Sequence, residues 1–130
     1  MKKTVILLFI LVYGLSLRAQ TTCGFEGTWQ TDWDGTGCRL SMEMTDDLHM
    51  TGSYSYMSEG GTIYGNVSGT IIREDTFDDG DAMILMHGEW WQGSISGTFK
   101  FARMCFEKEF TGSWRNDNEL ELGKWNGTKD

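Results

Sequence analysis

The chain contains no proline, only two histidines, and no two cysteines in Cys-x-x-Cys spacing. Without that spacing, a zinc ribbon or a thioredoxin-like redox site has no support. Basic residues are also scarce, because 11 Lys and Arg stand against 19 Asp and Glu and give a net charge of −8. Nucleic acids and anionic membranes attract basic surfaces, so we expect neither as a partner.

Glycine and aromatic residues, in contrast, are abundant. The chain has 17 glycines, and Phe, Trp and Tyr make up 13% of it. A chain with this much apolar surface is expected to fold rather than to remain disordered. After the first twenty residues no segment shows a helical period, so the glycines favour many short, bent strands.

The N-terminus has the features of a signal peptide. Two lysines precede a nearly unbroken apolar run over 5–17, and Ala19 offers a small residue at a cleavage site. The run is too short to be a stable membrane span. We therefore predict a signal peptide over 1–19 and a single domain over 20–130, in a protein that is secreted or held in the periplasm or cell envelope.

A five-residue pattern recurs in the remainder of the chain: an apolar residue, any residue, glycine, any residue, then an apolar or aromatic residue. Copies occupy 25–29, 50–54, 63–67, 67–71, 86–90, 95–99 and 110–114, with a partial copy at 125–129. In a strand, positions i, i+2 and i+4 share one face, so the apolar and glycine positions face inwards and the Ser, Thr, Asn and Glu positions face outwards. An inward glycine lets a neighbouring aromatic ring lie across the gap and lets the sheet curve tightly.

Turn-forming residues divide the chain into eight or nine short strands. We predict strands near 25–33, 38–45, 48–57, 61–67, 69–76, 82–91, 94–103, 107–115 and 120–128. Closing these strands into a barrel removes the exposed edges that an open sheet would carry. The prediction is an all-β fold, an antiparallel up-and-down meander barrel of about eight strands. Its polar outer face indicates that it does not span a membrane.

Several strand motifs resemble those of known secreted barrels. Gly27-Thr28-Trp29 and the Met-Thr-Gly-Ser-Tyr motif at 50–54 resemble the start of avidin and streptavidin. The motifs at 110–114 and 125–128 are similar to those of bacterial secreted proteins with Gly-Thr-Trp strand repeats. The resemblance implies an avidin- or lipocalin-like meander barrel.

The same resemblance implies roles for three aromatic residues. Tyr54 would face a ligand, and Trp90 and Trp114 would wall a pocket. The Asn and Ser cluster that follows the first Trp in avidins is replaced here by Gln-Thr-Asp at 30–32, and Asn126 stands nearest to their buried Asp. The resemblance therefore extends to the architecture and not to biotin.

The aromatic residues are the candidate ligand-binding residues, because apolar cavities with a few polar groups are typical of small-ligand sites. The candidates are Trp29, Trp33, Tyr54, Tyr56, Trp90, Trp91 and Trp114. The alternative is that these rings simply fill the core, for which a small barrel has room. Trp91 lies out of phase with Trp90 on the polar face, so it is expected to be exposed and available for contact with a partner.

The acidic loop over 74–81 is a weak calcium-site candidate, since carboxylate oxygens are the ligands that Ca²⁺ prefers. Its candidate ligands are Asp75, Asp78, Asp79 and Asp81. An EF-hand spacing is not met, because Phe77 occupies a ligand position, and a solvated loop is the simpler interpretation. His49 and His87 belong to no nucleophile–base pair with defined spacing, so we assign no catalytic residue and expect no cofactor.

The three cysteines predict one disulfide and one free thiol in an oxidising compartment. In the predicted meander Cys38 and Cys105 lie near turns at the same end, and Cys23 lies at the opposite end, so the favoured pair is Cys38–Cys105. A lipid anchor on Cys23 is an alternative fate, although Gln-Thr-Thr at 20–22 is not the small-residue sequence that such an anchor requires.

The sequence thus favours a secreted binding protein rather than an enzyme. An aromatic-rich barrel mouth and its loops would hold a small molecule, a glycan or a protein. The alternative is a structural or interaction protein of the cell envelope, with a solid barrel core and no small-molecule ligand.

Overall fold

The structure is a computed structural model, and it describes residues 23–130. The predicted signal peptide over 1–19 lies outside these residues. Eight strands make up the fold: β1 Gly27–Trp33, β2 Thr36–Met44, β3 His49–Ser58, β4 Gly61–Thr76, β5 Ala82–Gln92, β6 Ile95–Met104, β7 Glu109–Asn116 and β8 Gly123–Lys129. Among the residues described, no helix is long and apolar enough to cross a membrane.

Each strand pairs antiparallel with the next one along the chain, and the first pairs with the last, so the sheet closes into a barrel. The closing pair runs from Trp29 opposite Lys129 to Trp33 opposite Trp125. The predicted fold class, an eight-stranded up-and-down meander barrel, is confirmed. Closure leaves no exposed edge for pairing with another chain.

The prediction of separate strands over 61–67 and 69–76 is wrong, because the two form the single strand β4. Gly69 pairs with Met50 of β3 and with Gly88 of β5, so the ladder continues without a turn. The irregularity lies later, where the register with β5 shifts between Ile71 and Arg73. Such a bulge bends a strand without ending it.

The meander gives the barrel two different ends. The end that we call the mouth carries the turn after Trp33, the turn after Ser58, the turn after Gln92 and the longer β7–β8 loop over 117–122. The opposite end, which we call the closed end, carries residues 23–26 and the three remaining loops. Phe25 is fully buried there and covers the bottom of the core.

Many of the inward glycines lie directly opposite large rings on the neighbouring strands, as the five-residue pattern predicted. Six such pairs are formed: Tyr54 with Gly65, Trp90 with Gly97, Phe99 with Gly88, Phe101 with Gly112, Phe110 with Gly127 and Trp114 with Gly123. A Cβ atom at each of these glycines would overlap the ring opposite. The missing side chains are therefore the space into which the rings fold.

The disulfide joins Cys23 to Cys105, and Cys38 is a buried free thiol. The prediction of a Cys38–Cys105 bond is therefore wrong. Dividing β4 into two strands had reversed the inferred direction of every later strand and placed Cys105 at the mouth. In the barrel β6 ends at the closed end, beside the residues that precede β1. The Cys23 sulfur is thus occupied, which leaves no thiol there for a lipid anchor.

The buried Arg103 also fastens the segment before β1 at the closed end. Its guanidinium donates a hydrogen bond to the carbonyl oxygen of Gly24 and lies 5.2 Å from the centre of the Trp29 ring. Burial lowers the pKa of this guanidinium. A cation over an indole face is an attractive contact that strengthens where water is excluded.

We expect Gly88→Ala to lower the free energy of unfolding by about 1–3 kcal/mol, the usual cost of overpacking a core. The added methyl would overlap the Phe99 ring and the carbonyl oxygen of Ser68, and backbone cannot move aside cheaply. Guanidinium denaturation followed by tryptophan emission measures the change. Gly37→Ala is the control, because no atom lies within 4 Å of its added Cβ. Equal effects of the two substitutions would contradict this account.

We expect peptide mapping without reduction to recover Cys23 linked to Cys105, with Cys38 alkylated only after unfolding. Burial raises the pKa of the Cys38 thiol and keeps it in the unreactive protonated form. Replacing both linked cysteines by serine should lower the free energy of unfolding by about 2–4 kcal/mol. Recovery of a peptide that links Cys38 to either partner would disprove the assignment.

Candidate functional site

The structure divides the seven aromatic candidates into three groups. Trp29, Tyr54 and Trp90 are buried in the core. Trp33, Tyr56 and Trp114 are half-buried and lie together at the mouth. Trp91 lies outside the barrel and is 41% exposed, which confirms that it faces the opposite way from Trp90.

Trp33 is the centre of the mouth. It is the last residue of β1, and its ring lies 5.0 Å from that of Trp125 in a stacked arrangement with an interplanar angle of 11°. Four further rings meet it nearly edge to face, with centroids between 5.1 and 5.9 Å away: Tyr54, Tyr56, Trp90 and Trp114. Edge-to-face contacts are favourable because the positive edge of one ring meets the negative face of another.

Polar groups at the mouth fix the two tyrosines. The hydroxyl of Tyr54 donates to Gln92 Oε1 at 3.0 Å, and Gln92 Nε2 donates to the hydroxyl of Tyr56 at 2.9 Å. Burial, followed by the effect of Tyr56, raises the pKa of Tyr54, so its hydroxyl remains a donor at neutral pH. Gln92 therefore bridges the ring pair and orients both hydroxyls.

Asp34 braces the opposite side of the mouth. Its carboxylate accepts a hydrogen bond from Trp114 Nε1 at 3.1 Å and one from the backbone N–H of Lys124 at 2.8 Å. Asp34 has a φ of 50°, in the left-handed region that Asn and Asp tolerate better than most residues. This exposed carboxylate thus joins the first turn to β8 and holds the Trp114 ring in place.

Below the mouth the barrel is filled with rings. Trp125 lies under Trp33, and Phe99, Phe101 and Phe110 continue the packing, with centroids 4.4 Å apart for Phe99–Phe101 and 4.2 Å for Phe101–Phe110. All four of these rings are at most 2% exposed. A ligand at this end would therefore rest on the mouth rather than enter a deep cavity.

The indole nitrogen of Trp33 is buried and has no hydrogen-bond partner within the described part of the chain. The other indole donors of the barrel interior are paired: Trp29 with the Phe25 carbonyl, Trp90 with the Arg115 carbonyl, Trp114 with Asp34 and Trp125 with the hydroxyl of Thr31. A buried donor without an acceptor costs about 1–3 kcal/mol. Packing against other rings, and not a hydrogen bond, therefore holds Trp33.

Sequence reasoning found the aromatic members of the mouth but missed its polar ones. Gln92 stands next to a Gly in a turn and carries no chemical signal by itself. Asp34 is a typical hairpin-turn residue, and its role depends on β8, which lies about ninety positions further along the chain. Only closure of the barrel brings these residues together.

The acidic loop does not assemble as a metal site. Asp75 pairs with Arg73 at 2.8 Å, Asp79 accepts from the backbone N–H of Asp81, and Asp81 accepts from those of Ala82 and Phe106. Between residues 23 and 130, no three His, Cys, Asp or Glu side chains are grouped so as to hold a metal ion. The structure therefore does not bring the four candidate calcium ligands together.

The two histidines lie on the outer face, along a depression of about 710 Å³ that crosses β3 to β6. His49 binds the Asp46 carboxylate through Nδ1 at 2.8 Å. Burial, and then the charge of Lys100, lower the pKa of His87. No nucleophile is hydrogen-bonded to either imidazole within the described residues, so the pair forms no catalytic arrangement that we recognise.

Comparison of the chain with protein-family models, with curated proteins and with solved structures found no match. The resemblance to avidins and to Gly-Thr-Trp repeat proteins therefore stays a prediction.

We expect both Trp33→Phe and Trp114→Phe to lower the free energy of unfolding. The loss for Trp33→Phe should be smaller by about 1 kcal/mol, which is the usual contribution of one hydrogen bond. Both rings are half-buried, but only the Trp114 indole donates a hydrogen bond, whereas the Trp33 substitution removes an unpaired donor. Chemical denaturation of both variants measures the difference. A larger loss for Trp33→Phe would show that the ring contacts of Trp33 outweigh the hydrogen bond of Trp114.

Proposed function

We propose that the protein is a binding protein whose barrel mouth holds a small ligand with a flat apolar face, such as a sugar ring or a planar organic molecule. The observation that carries the proposal is the group of three half-buried rings at one end, Trp33, Tyr56 and Trp114. Secretion is part of the same proposal, supported by the N-terminal signal features and by the Cys23–Cys105 disulfide.

The rings favour stacking as the mode of binding. The mouth rings stand nearly perpendicular to one another, at 80° for Trp33 with Tyr56 and 86° for Trp33 with Trp114. Perpendicular rings form a surface that can present both a ring face and a ring edge to a ligand. Rigid aromatic side chains provide such contact area at little entropic cost.

Polar groups at the rim supply donors and acceptors for the edge of the ligand. Gln92 and the hydroxyl of Tyr56 lie on one side, and the Asp34 carboxylate lies on the other. A few polar groups around an apolar surface are what orients a ligand in known small-molecule sites.

Isothermal titration calorimetry with cellohexaose, maltohexaose and riboflavin tests the proposal. We expect one of these probes to bind, and Tyr56→Ala to weaken that binding about three- to tenfold, as the loss of one aromatic contact predicts. Tyr56→Phe keeps the ring and removes only the hydroxyl that Gln92 binds, so it separates stacking from hydrogen bonding.

Trp91→Ala is the matched control, because it removes an exposed tryptophan outside the barrel. Its affinity for the probe should equal that of the wild type. Binding that is insensitive to Tyr56→Ala but lost in Trp91→Ala would refute a site at the mouth.

A structural or interaction protein of the cell envelope is the second candidate. The ring-filled core favours it, as does Trp91, which lines an outer groove of about 300 Å³ with Glu89 and Asp117. Tryptophan is enriched among the residues that dominate protein interfaces. Absence of binding for all three probes, with partner capture that depends on Trp91, would favour this candidate over the first.

A further inference from the structure

The β7–β8 loop over 117–122 forms a second concave site on the outer face of the barrel, beside the mouth. Leu120 and Leu122 line a cleft of about 250 Å³ together with outward residues of β6 and β7. The two leucines are 92% and 70% exposed. Burying a leucine side chain is worth about 1.5–3 kcal/mol, so this loop presents apolar surface that an occupant of the cleft could cover.

The floor of this cleft, which we call the loop cleft, is cationic. Ser113 of β7 lies directly opposite Lys100 of β6 on one side and Lys124 of β8 on the other. Arg115 stands two positions after Ser113, so it projects from the same face of β7. Lys100 and Arg115 thus line the cleft together with Ser113, and Lys124 is the neighbour of Ser113 on β8.

These three cations have no described anionic partner. The ion pairs between residues 23 and 130 join Arg39 to Asp130, His49 to Asp46 and Arg73 to Asp75. The chain carries a net charge of −8, so a group of unpaired cations is unusual on its surface. Glu119 and Glu121 alternate with the two leucines in the loop, and neither glutamate lines the cleft.

We propose that the loop cleft binds a small amphipathic anion, a carboxylate attached to a short hydrocarbon chain. Lys100 and Arg115 hold the carboxylate, with Ser113 and Thr98 as hydroxyl donors, and Leu120 and Leu122 cover the chain. An inorganic anion would leave the leucines exposed, and a neutral apolar molecule would leave the cations without a partner. The cleft is smaller than the pockets of drug-sized ligands, which favours a short chain.

The test is calorimetric titration with decanoate below its micellar concentration, with decanol and inorganic phosphate as comparison probes. We expect decanoate to bind one to one and both comparison probes to bind at least about tenfold more weakly, because each lacks one half of the interaction. Decanol that binds as tightly as decanoate would overturn the role of the cations. Phosphate that does so would overturn the role of the leucines.

Two pairs of substitutions locate the site. Lys100→Gln with Arg115→Gln should weaken decanoate binding at least about tenfold, the usual effect of losing a hydrogen bond between charged groups. Leu120→Ser with Leu122→Ser should weaken decanoate to a similar extent and leave the weak binding of phosphate unchanged. Both pairs lie on the surface, and the leucines lie in a loop, so circular dichroism should show an unchanged barrel.

Each control replaces a side chain of the same kind as one of the pairs, but at a different place on the surface. Lys108→Gln removes an exposed cation at the closed end, and Tyr64→Ser removes a ring that is 73% exposed. Neither should change decanoate affinity. The opposite outcome is that decanoate does not bind, while the protein sediments with phosphatidylglycerol vesicles and loses this property when Leu120 and Leu122 are replaced. That result would overturn the proposal of a free small anion in favour of a lipid surface. Neither result bears on ligands of the mouth.

Discussion

The barrel depends on the fit between inward glycines and the large rings opposite them. An eight-stranded barrel has an interior just wide enough for side chains to fill. This barrel places rings from Trp29, Trp90, Trp125 and several phenylalanines in that space, and each strand must also coil tightly enough to close the sheet. Direct pairs such as Gly88 with Phe99 allow both the filling of the interior and the tight coiling of the strands, since the ring occupies the volume that a second side chain would need.

The same packing decides which kinds of function the barrel can perform. A ring-filled interior leaves no room for a ligand to enter deeply, so both sites that we propose lie at the surface. At the mouth, the rings that close the core are themselves half-exposed. Gln92 orients Tyr56, Asp34 orients Trp114, and ring packing holds Trp33. The core and the candidate site are therefore parts of one aromatic cluster. A substitution at Trp33 is expected to affect both stability and binding, which is why the more peripheral Tyr56 is the better probe of function.

The two ends of the barrel are built differently, and this asymmetry follows from chain direction. Residues 23–26 reach the closed end before β1 begins, so Phe25, the disulfide and the Arg103 contact to Gly24 all gather there. The mouth receives tight turns and the longer β7–β8 loop. That loop carries the exposed leucines of the loop cleft, whereas the closed end is fastened by covalent and buried contacts. Both sites that we propose therefore lie at the mouth or on the outer face beside it.

Local pattern was enough to predict most of the strands, the inward and outward faces and the all-β class, because side-chain direction alternates with period two whatever the tertiary context. It also placed Trp91 outside and the glycines beside the rings. It could not decide how many strands there were, because Val67 and Ile71 fit one long strand as well as two short ones. That single ambiguity inverted the ends of the later strands and led to the wrong disulfide. The polar half of the mouth, the unpaired cations around Ser113 and the filling of the interior were decided only by the closed barrel. Each depends on contacts between strands distant in sequence, and no local pattern encodes such contacts.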